Sequence, residues 1–299
     1  MGALHKNSDA KQSDWDFRGA DTKQYTHCFH TYPAMMIPQI ARKLIAKYGE
    51  IGGILFDPYC GTGTSLVEAR LAGMNAIGTD INPAARMIAK SKSDDYNMER
   101  LSVDCQRFLR IFTKLLETEL PPPDINPDTI DFSNLKPNAC LTWEQLERWF
   151  PKRSILEVCF AIQCISTIRN SKSRQFIKIA LSECLRLISF QRNSEFKLYR
   201  IEKDKRNELF HKKLLPLIKE RLARNLKGLT DFKLEVDPGT YAKVKQFNTV
   251  HSLPFDYNKP FAKLVLTSPP YGDSSTTVAY AQFSWLTNTW LELDKRTAS

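Results

Sequence analysis

The sequence predicts an α/β fold with a large, mostly helical insertion. Two short apolar segments, residues 53–56 and 75–79, each end at an aspartate and lead into a helical pattern of apolar residues. This alternation stops after residue 91, where long helical stripes begin. We therefore expect a flexible polar lead-in at residues 1–24, a discontinuous core at residues 25–93 and 241–299, and a mostly helical insertion at residues 94–240.

Composition narrows the class of protein. The 299 residues are 42% hydrophobic, which is enough for a sizeable core, and no apolar run is long enough to span a bilayer. The first 21 residues lack the apolar stretch of a signal peptide, so we expect a cytoplasmic protein. The seven cysteines form no Cys-x-x-Cys pair and the five histidines are scattered, so neither a metal site nor a disulfide framework is expected. A formal charge of +10 fits either a nucleic-acid partner or a merely basic protein.

The first predicted strand leads into a glycine turn. Residues 57–64 read DPYCGTGT, and residues 65–72 follow with a helical pattern. Because Gly61 and Gly63 have no side chains, a ligand can approach this backbone, and the helix N-terminus behind them offers unpaired N–H groups. Asp57 is placed to accept hydrogen bonds from a ligand ammonium group or from the turn. The turn lacks the third glycine of the dinucleotide fingerprint and the Lys-Ser/Thr pair of a P-loop.

The second predicted strand ends at Asp80, which follows Gly63 by 17 residues. Dinucleotide-binding folds place a carboxylate at about this offset to bind a ribose diol. Asp80 also suits the role of cap for the helix that opens at Pro83, and both roles can coexist. Ahead of the first strand, the aromatic-rich residues 25–34 either close over a ligand or form a packed loop, and a helix follows them.

Apolar stripes predict the helices of the insertion. Residues 101–120 form one stripe, which three prolines end, and residues 153–190 form two further helices. Thr142 and Gln145 form a capping box for a helix that runs through Trp149. Residues 197–228 hold eleven basic residues against four acidic ones, which indicates either contact with nucleic-acid phosphates or a solvated helix face.

Strand-like segments follow at residues 232–236, 242–250 and 261–266, and the last runs into TSPPYG. The two prolines fix φ and remove N–H donors, so the carbonyl groups of Ser268 and Pro269 stay outside regular pairing. With the Ser268 hydroxyl they form a rigid set of acceptors for an exocyclic amine, and Tyr271 offers a flat face to a base. Without the glycine turn, a proline-stiffened turn would be the preferred interpretation.

These motifs resemble those of the amino-methyltransferases of nucleic acids, most closely the site-specific DNA methyltransferases that modify cytosine N4. That family carries a DPxxGxGT turn for S-adenosylmethionine and a (T/S)SPPY motif at the catalytic strand, and both are present. Ser268 stands where adenine-N6 enzymes usually carry Asp or Asn, which favours cytosine. The resemblance covers residues 25–93 and 245–290, and it implies an incomplete Rossmann-like methyltransferase sheet with helices on both faces.

The resemblance also implies the site residues. S-adenosylmethionine is expected at Asp57, Tyr59, Gly61, Gly63, Thr64, Asp80, Ile81 and His30. Catalysis is expected at Ser268, Pro269, Pro270 and Tyr271. In the implied mechanism a base is flipped out of the DNA and stacked on Tyr271, while Ser268 and the Pro269 carbonyl orient its amine for attack on the methyl group. Such enzymes typically belong to restriction-modification.

Fewer strands are predicted than the seven of the family fold, because only 28 residues follow Tyr271. We expect the catalytic strand at a sheet edge and Trp285 and Trp290 exposed on the next helix. Either a second polypeptide completes a split enzyme, or the product is truncated and inactive. Besides a cytosine-N4 enzyme, a DNA adenine-N6 or RNA base methyltransferase and a non-catalytic cofactor- or DNA-binding subunit remain open.

Overall fold

A computed structural model describes residues 15–120, 142–192, 197–206, 212–249, 260–269 and 280–293. Residues 1–14 of the expected lead-in, and Pro270 and Tyr271 of the expected catalytic motif, lie outside these described residues. The strands are β1 (Ile54–Asp57), β2 (Asn75–Asp80), β3 (Ala242–Gln246) and β4 (Leu264–Val265). They form one parallel sheet in the order β3-β2-β1-β4. This sheet confirms the predicted α/β class.

One helix connects β1 to β2, and helices make up most of the described residues between β2 and β3. The described α-helices are α1 (Pro38–Tyr48), α2 (Thr64–Leu71), α3 (Pro83–Ser93), α4 (Met98–Glu119), α5 (Trp143–Trp149), α6 (Lys152–Ser166), α7 (Ser171–Leu187), α8 (Leu214–Glu235) and α9 (Tyr280–Trp290), with a short 3-10 helix η1 (Tyr25–Phe29). The capping box of Thr142 and Gln145 is present at α5, as predicted. None of the described helices is long and apolar enough to cross a membrane.

The strand predicted at residues 232–236 is wrong, because these residues end α8 instead. Phe232 and Leu234 flank the polar Lys233, which gives the alternation of apolar and polar residues that is typical of a strand. In the structure Phe232 is buried together with Leu229, three residues before it, while Leu234 is 80% exposed. This spacing of buried residues is that of one helix face.

Two hydrophobic clusters hold the fold together. The smaller one packs α1 and α2 onto the sheet through residues such as Ala41, Leu55 and Leu66. The larger one joins η1 and α3 to the later helices before β3, which are α4 to α8, and to α9. Phe29, for example, contacts Phe176 of α7 edge to face, with ring centroids 5.4 Å apart.

Burial of α9 corrects the prediction of two exposed tryptophans. Trp290 is only 1% exposed and contacts Phe150 with ring centroids 5.7 Å apart. Trp285 is half-buried and contacts Trp149 at 5.8 Å. The reason is that α9 packs on α3 and α7, so that the helices before β3 cover it. Strand β4 pairs with β1 alone among the described strands, and Val265 is 62% exposed.

Candidate active site

A cavity of about 610 Å³ lies at the carboxyl ends of the strands. Parallel strands end at the same sheet edge, so the loops after β1, β2, β3 and β4 meet there. The described residues that line it are Tyr32, Pro33, Ala34, Met35, Met36, Asp57, Pro58, Tyr59, Cys60, Gly61, Thr62, Thr64, Ser65, Asp80, Ile81, Asn82, Pro83, Phe247, Asn248, Thr249, Ser268, Tyr280, Ala281, Trp285 and Asn288. Both predicted motifs therefore contribute to one cavity.

The two glycines of the turn have different surroundings. Gly61 lines the cavity at φ +49°, and a Cβ added to it would meet nothing within 4 Å. Gly63 does not line the cavity; a Cβ there would lie 2.9 Å from the Cβ of Ala89 on α3. Gly61 therefore leaves room for a ligand, whereas Gly63 lets α2 and α3 pack closely. Thr64, the first residue of α2, lies on the cavity wall.

Asp57 connects the ends of β1 and β4. Its carboxylate accepts hydrogen bonds from the backbone N–H of Tyr59 (3.1 Å), the hydroxyl of Thr267 (2.7 Å) and the hydroxyl of Ser65. Burial raises the pKa of Asp57 above its usual value, although these donors oppose the shift. Asp57 was expected to accept hydrogen bonds from the turn or from a ligand. Tyr59 of the turn is one donor in the structure, and another is Thr267, the residue directly before Ser268.

Asp80, the last residue of β2, contacts the glycine turn. Its carboxylate accepts from the backbone N–H of Gly61 (3.0 Å) and of Asn82 (2.7 Å), and burial raises its pKa. The capping role predicted for Asp80 is wrong: Asn82 caps α3, since its side-chain oxygen accepts from the N–H of Ala84 at 3.1 Å. The Asn-Pro pair at the start of α3 is the signal that identifies this cap.

Ile81 and Tyr59 provide apolar surface at the cavity. Ile81 is 65% exposed, so its aliphatic side chain is accessible from the cavity. Arg86 fixes the backbone beside it, because its guanidinium donates to the carbonyls of Asp80 (2.9 Å) and Ile81 (2.7 Å). An aromatic ring bound in the cavity could pack against the Ile81 side chain, whose backbone is held in this way.

His30 is not among the residues that line the cavity. It is buried at 3% exposure, and its Nδ1 lies 2.7 Å from the backbone oxygen of Thr31. Burial lowers its pKa to about 4. The residues just after it, Tyr32 to Met36, line the cavity instead. The aromatic-rich segment thus reaches the site through these later residues.

The structure brings seven of the twelve predicted site residues to one cavity and leaves five, including Gly63 and His30, elsewhere or undescribed. Those lining it are Asp57, Tyr59, Gly61, Thr64, Asp80, Ile81 and Ser268. Pro269 is described and exposed next to Ser268, while Pro270 and Tyr271 are outside the described residues. No group of three or more His, Cys, Asp or Glu in the described ranges is placed to hold a metal ion.

Several residues at the cavity were not among the predicted site residues, although Tyr32 lies in the segment 25–34 that was expected either to close over a ligand or to form a packed loop. Tyr32, Asn82, Trp285 and Asn288 line it, and Ser284 forms hydrogen bonds with two of them. Tyr32 stacks on Tyr280 at the start of α9, with ring centroids 6.1 Å apart. The apolar pattern of α9 predicted its helix, but it gave no indication of which face would meet the loops after β1 and β2.

Comparison with known proteins identifies relatives of the chain. Residues 4–91 match the N6_N4_Mtase family model, described as DNA methylase. The chain is 34% identical over 286 residues to the Type II methyltransferase M.MvaI of Kocuria varians, which covers 93% of this chain and 60% of that protein. It is 22% identical over 228 residues to M.MjaII of Methanocaldococcus jannaschii (58% of this chain, 43% of that protein).

A third relative is the Type II methyltransferase M.BsoBI of Geobacillus stearothermophilus, with 25% identity over 280 residues, 84% of this chain and 50% of that protein. The chain thus spans about half the length of the curated relatives that it matches. No solved structure matches it.

Proposed function

We propose that this chain, which belongs to the DNA methylase family of N4 and N6 amino-methyltransferases, methylates cytosine N4 in a specific DNA site. The methyl donor of this family is S-adenosylmethionine. We further propose that the chain acts in a Type II restriction-modification system. The observation that carries the proposal is the hydrogen bond between Asp57 and Thr267. It holds the end of the glycine-turn strand next to the strand end that carries Ser268. The named activities of the relatives support the same reaction class.

The cofactor would be held by the glycine turn and the end of β2. Gly61 leaves backbone exposed to the cavity, and the N-terminal residues of α2 lie beside it. Asp80 has its carboxylate oriented by two backbone N–H groups, which leaves further lone pairs for a ribose diol. Ile81 offers an apolar face to a ring. Bound there, S-adenosylmethionine supplies an electrophilic methyl group.

The residues of the chain would act mainly by positioning the target amine. Ser268 is exposed on the cavity wall, where its hydroxyl and the neighbouring carbonyls can accept hydrogen bonds from an exocyclic N–H₂ group. These acceptors would orient the nitrogen lone pair toward the methyl group of the cofactor. Tyr271 is proposed to stack on the flipped base. Ser268, in the place of Asp or Asn, supports cytosine over adenine.

We also propose that a second polypeptide completes the sheet at β4. The exposed edge supports this, since β4 pairs with β1 alone among the described strands and Val265 is 62% exposed. The tryptophans of α9 no longer support it, because the chain's own helices cover Trp290. Strand pairing at such an edge supplies backbone hydrogen bonds to both partners.

The test is transfer of tritium from methyl-labelled S-adenosylmethionine to DNA, with the nucleosides then separated. We expect N4-methylcytosine, and we expect Ser268→Ala to lower the transfer rate by about 100-fold while cofactor affinity is kept. N6-methyladenine as the product would overturn the base assignment, and labelling of tRNA alone would overturn the DNA substrate. Absence of transfer both alone and with the polypeptide encoded beside it would favour a non-catalytic subunit.

A further inference from the structure

We propose that Asn82 is a positioning residue that holds α9 and residues 32–36 (the Tyr32 segment) against the cofactor side of the cavity. Cofactor affinity then depends on a hydrogen-bonded triangle of Asn82, Tyr32 and Ser284. This inference rests on the proposed function, because it assigns a role in the same cavity. None of the three residues belongs to the two sequence motifs, and the triangle is a property of the tertiary structure.

The triangle is closed and joins three distant segments. The side-chain Nδ2 of Asn82 donates to the Tyr32 hydroxyl and to the Ser284 hydroxyl, both at 2.9 Å. The two hydroxyl oxygens lie 3.3 Å from each other. Asn82 is separated by 50 residues from Tyr32 and by 202 residues from Ser284. One amide group thus uses both of its N–H donors to hold two elements.

The remaining groups of Asn82 tie it to the cofactor side. Its backbone N–H donates to the Asp80 carboxylate at 2.7 Å, and its side-chain oxygen accepts from the N–H of Ala84 at the start of α3. The orientation of Asp80 and the position of α9 are therefore fixed by the same residue. A change at one of these contacts is transmitted to the other through a single residue, whose backbone N–H bonds to Asp80 and whose side chain bonds to Ser284.

Burial makes these hydrogen bonds consequential. Ser284 is 1% exposed and Tyr32 is 8% exposed, so water cannot easily replace a lost partner. The Tyr32 ring is held as well, between Tyr280, on which it stacks, and Phe283, which it meets at 5.2 Å. Burial raises the pKa of the Tyr32 phenol far above its usual value, so it remains a neutral donor and acceptor.

The elements that the triangle holds form much of the cavity wall. Helix α9 contributes Tyr280, Ala281, Trp285 and Asn288, and the Tyr32 segment contributes residues up to Met36. If the triangle is lost, both walls can move relative to Asp80, and a ligand must order them when it binds. Cofactor affinity is therefore expected to fall even though none of the deleted atoms belongs to the glycine turn.

The experiment is a calorimetric titration of the whole chain with S-adenosylhomocysteine, for wild type, Tyr32→Phe, Ser284→Ala and Asn82→Ser. Phenylalanine keeps the packing of Tyr32, and serine at position 82 keeps a helix cap but lacks the amide donors. We expect each variant to bind about tenfold more weakly, as the loss of one or two buried hydrogen bonds implies. Thr289→Ala is the matched control, because the Thr289 hydroxyl bonds within α9, to the Trp285 carbonyl.

The double variant Asn82→Ser with Ser284→Ala separates positioning from general destabilisation. If the triangle acts as one unit, the double variant binds no more weakly than Asn82→Ser alone. Additive losses, or affinities within twofold of wild type while wild type binds, would overturn the inference. Failure of wild type itself to bind would instead count against the proposed function. Ser284→Ala and Tyr32→Phe are mild enough to keep the test valid should Asn82→Ser fold poorly.

Discussion

At the scale of single residues, the roles of polar groups near the cavity depend on which partners the fold gives them. Asp57 accepts hydrogen bonds from Tyr59, Ser65 and Thr267, and the bond from Thr267 joins the end of β1 to the end of β4. Asp80 is oriented by backbone N–H groups of Gly61 and Asn82. Two aspartates at equivalent strand ends therefore have different tasks.

The contact between Asp57 and Thr267 gives a prediction for an isosteric change. Thr267→Val removes a hydrogen bond to a buried carboxylate, and such bonds contribute about 1.5–3 kcal/mol. We expect methyl transfer to fall by about 10- to 100-fold, because Ser268 loses its fixed position. Thr267→Ser keeps the hydroxyl and should stay within about threefold of wild type. Steady-state rates at saturating cofactor measure the effect, and equal rates for the two variants would refute it.

The two glycines of the turn predict opposite outcomes for the same substitution. Gly63→Ala should lower the free energy of unfolding by about 2 kcal/mol, since φ is +79° and the new methyl would lie 2.9 Å from Ala89. Gly61→Ala, at φ +49° and with open space around it, should affect cofactor affinity more than stability. Urea unfolding and calorimetric titration of both variants measure the difference. A stable Gly63→Ala protein would contradict this assignment of roles.

At the scale of elements, η1 is held by hydrogen bonds to the buried carboxylate of Glu68. Glu68 on α2 lies 2.8 Å from the Nε2 of His27 and 2.8 Å from the Nε of Arg42. Burial alone would raise the pKa of Glu68, but the hydrogen bonds from these two residues lower it below its usual value. A neutral His27 that donates through Nε2 to an ionised Glu68 fits this arrangement. The network fixes η1 against the helix that follows the glycine turn.

Two buried histidines predict how stability depends on pH. Burial lowers the pKa values of His27 and His30 from 6.5 to about 4. Between pH 6.5 and about pH 4 the unfolded chain therefore binds protons at these histidines that the folded chain does not bind. The free energy of unfolding keeps this contribution above pH 6.5 and loses it progressively as the pH falls toward 4. The loss amounts to about 2 kcal/mol for each histidine at pH 5. Urea unfolding of wild type and His30→Asn from pH 8 to 5 measures it, and equal slopes would contradict it.

Helix α8 shows that part of the basic run has a structural role. Arg221 and Arg224 both pair with Glu183, at 3.1 and 2.5 Å, and Glu183 is 7% exposed. Lys227, on the same helix, is exposed. The sequence alone could not separate these cases, because the acidic partner lies about 40 residues away on α7.

This difference predicts a contrast between two substitutions in α8. Arg224→Ala leaves a buried carboxylate with fewer partners and should lower the free energy of unfolding by about 3 kcal/mol. Lys227→Ala should leave stability unchanged, and if α8 contacts phosphates it should reduce the slope of log affinity for DNA against log salt by about 1. Chemical unfolding and filter binding at several salt concentrations measure both. An unchanged slope would favour a solvated helix face.

At the scale of the whole molecule, the helices between β2 and β3 share one core with the elements around the cavity. Phe176 of α7 contacts Phe29 at 5.4 Å and Tyr96 at 5.7 Å, and the same cluster includes Trp290 of α9. Along the chain, the helices between β2 and β3 interrupt the residues that form the sheet and the cavity, as an insertion does. In the structure, however, these helices and the elements around the cavity share one hydrophobic cluster.

A substitution in this core predicts cooperative unfolding. Phe176 is fully buried, and Phe176→Ala should lower the free energy of unfolding by about 3–5 kcal/mol. We expect helical content and tryptophan fluorescence to change in one transition, since Trp285 and Trp290 pack on the same cluster. Far-ultraviolet circular dichroism and fluorescence along one urea gradient provide the measurement. Two separate transitions would indicate that the helices between β2 and β3 fold independently.

Local sequence patterns were sufficient to predict the two strand ends at Asp57 and Asp80, the glycine turn, and the capping box at α5. Turn conformation, capping and apolar periodicity depend on residues only a few positions apart, so they can be read along the chain.

Which groups meet across the cavity depends on the tertiary packing. Asn82 contacts Ser284, which is 202 residues away, and it rather than Asp80 caps α3. Trp290 is covered because α9 packs on α3 and α7, and His30 is buried and does not line the cavity that Tyr32 to Met36 line. Such contacts depend on how whole elements pack, and that packing is set by the summed burial of many side chains, which no local pattern records.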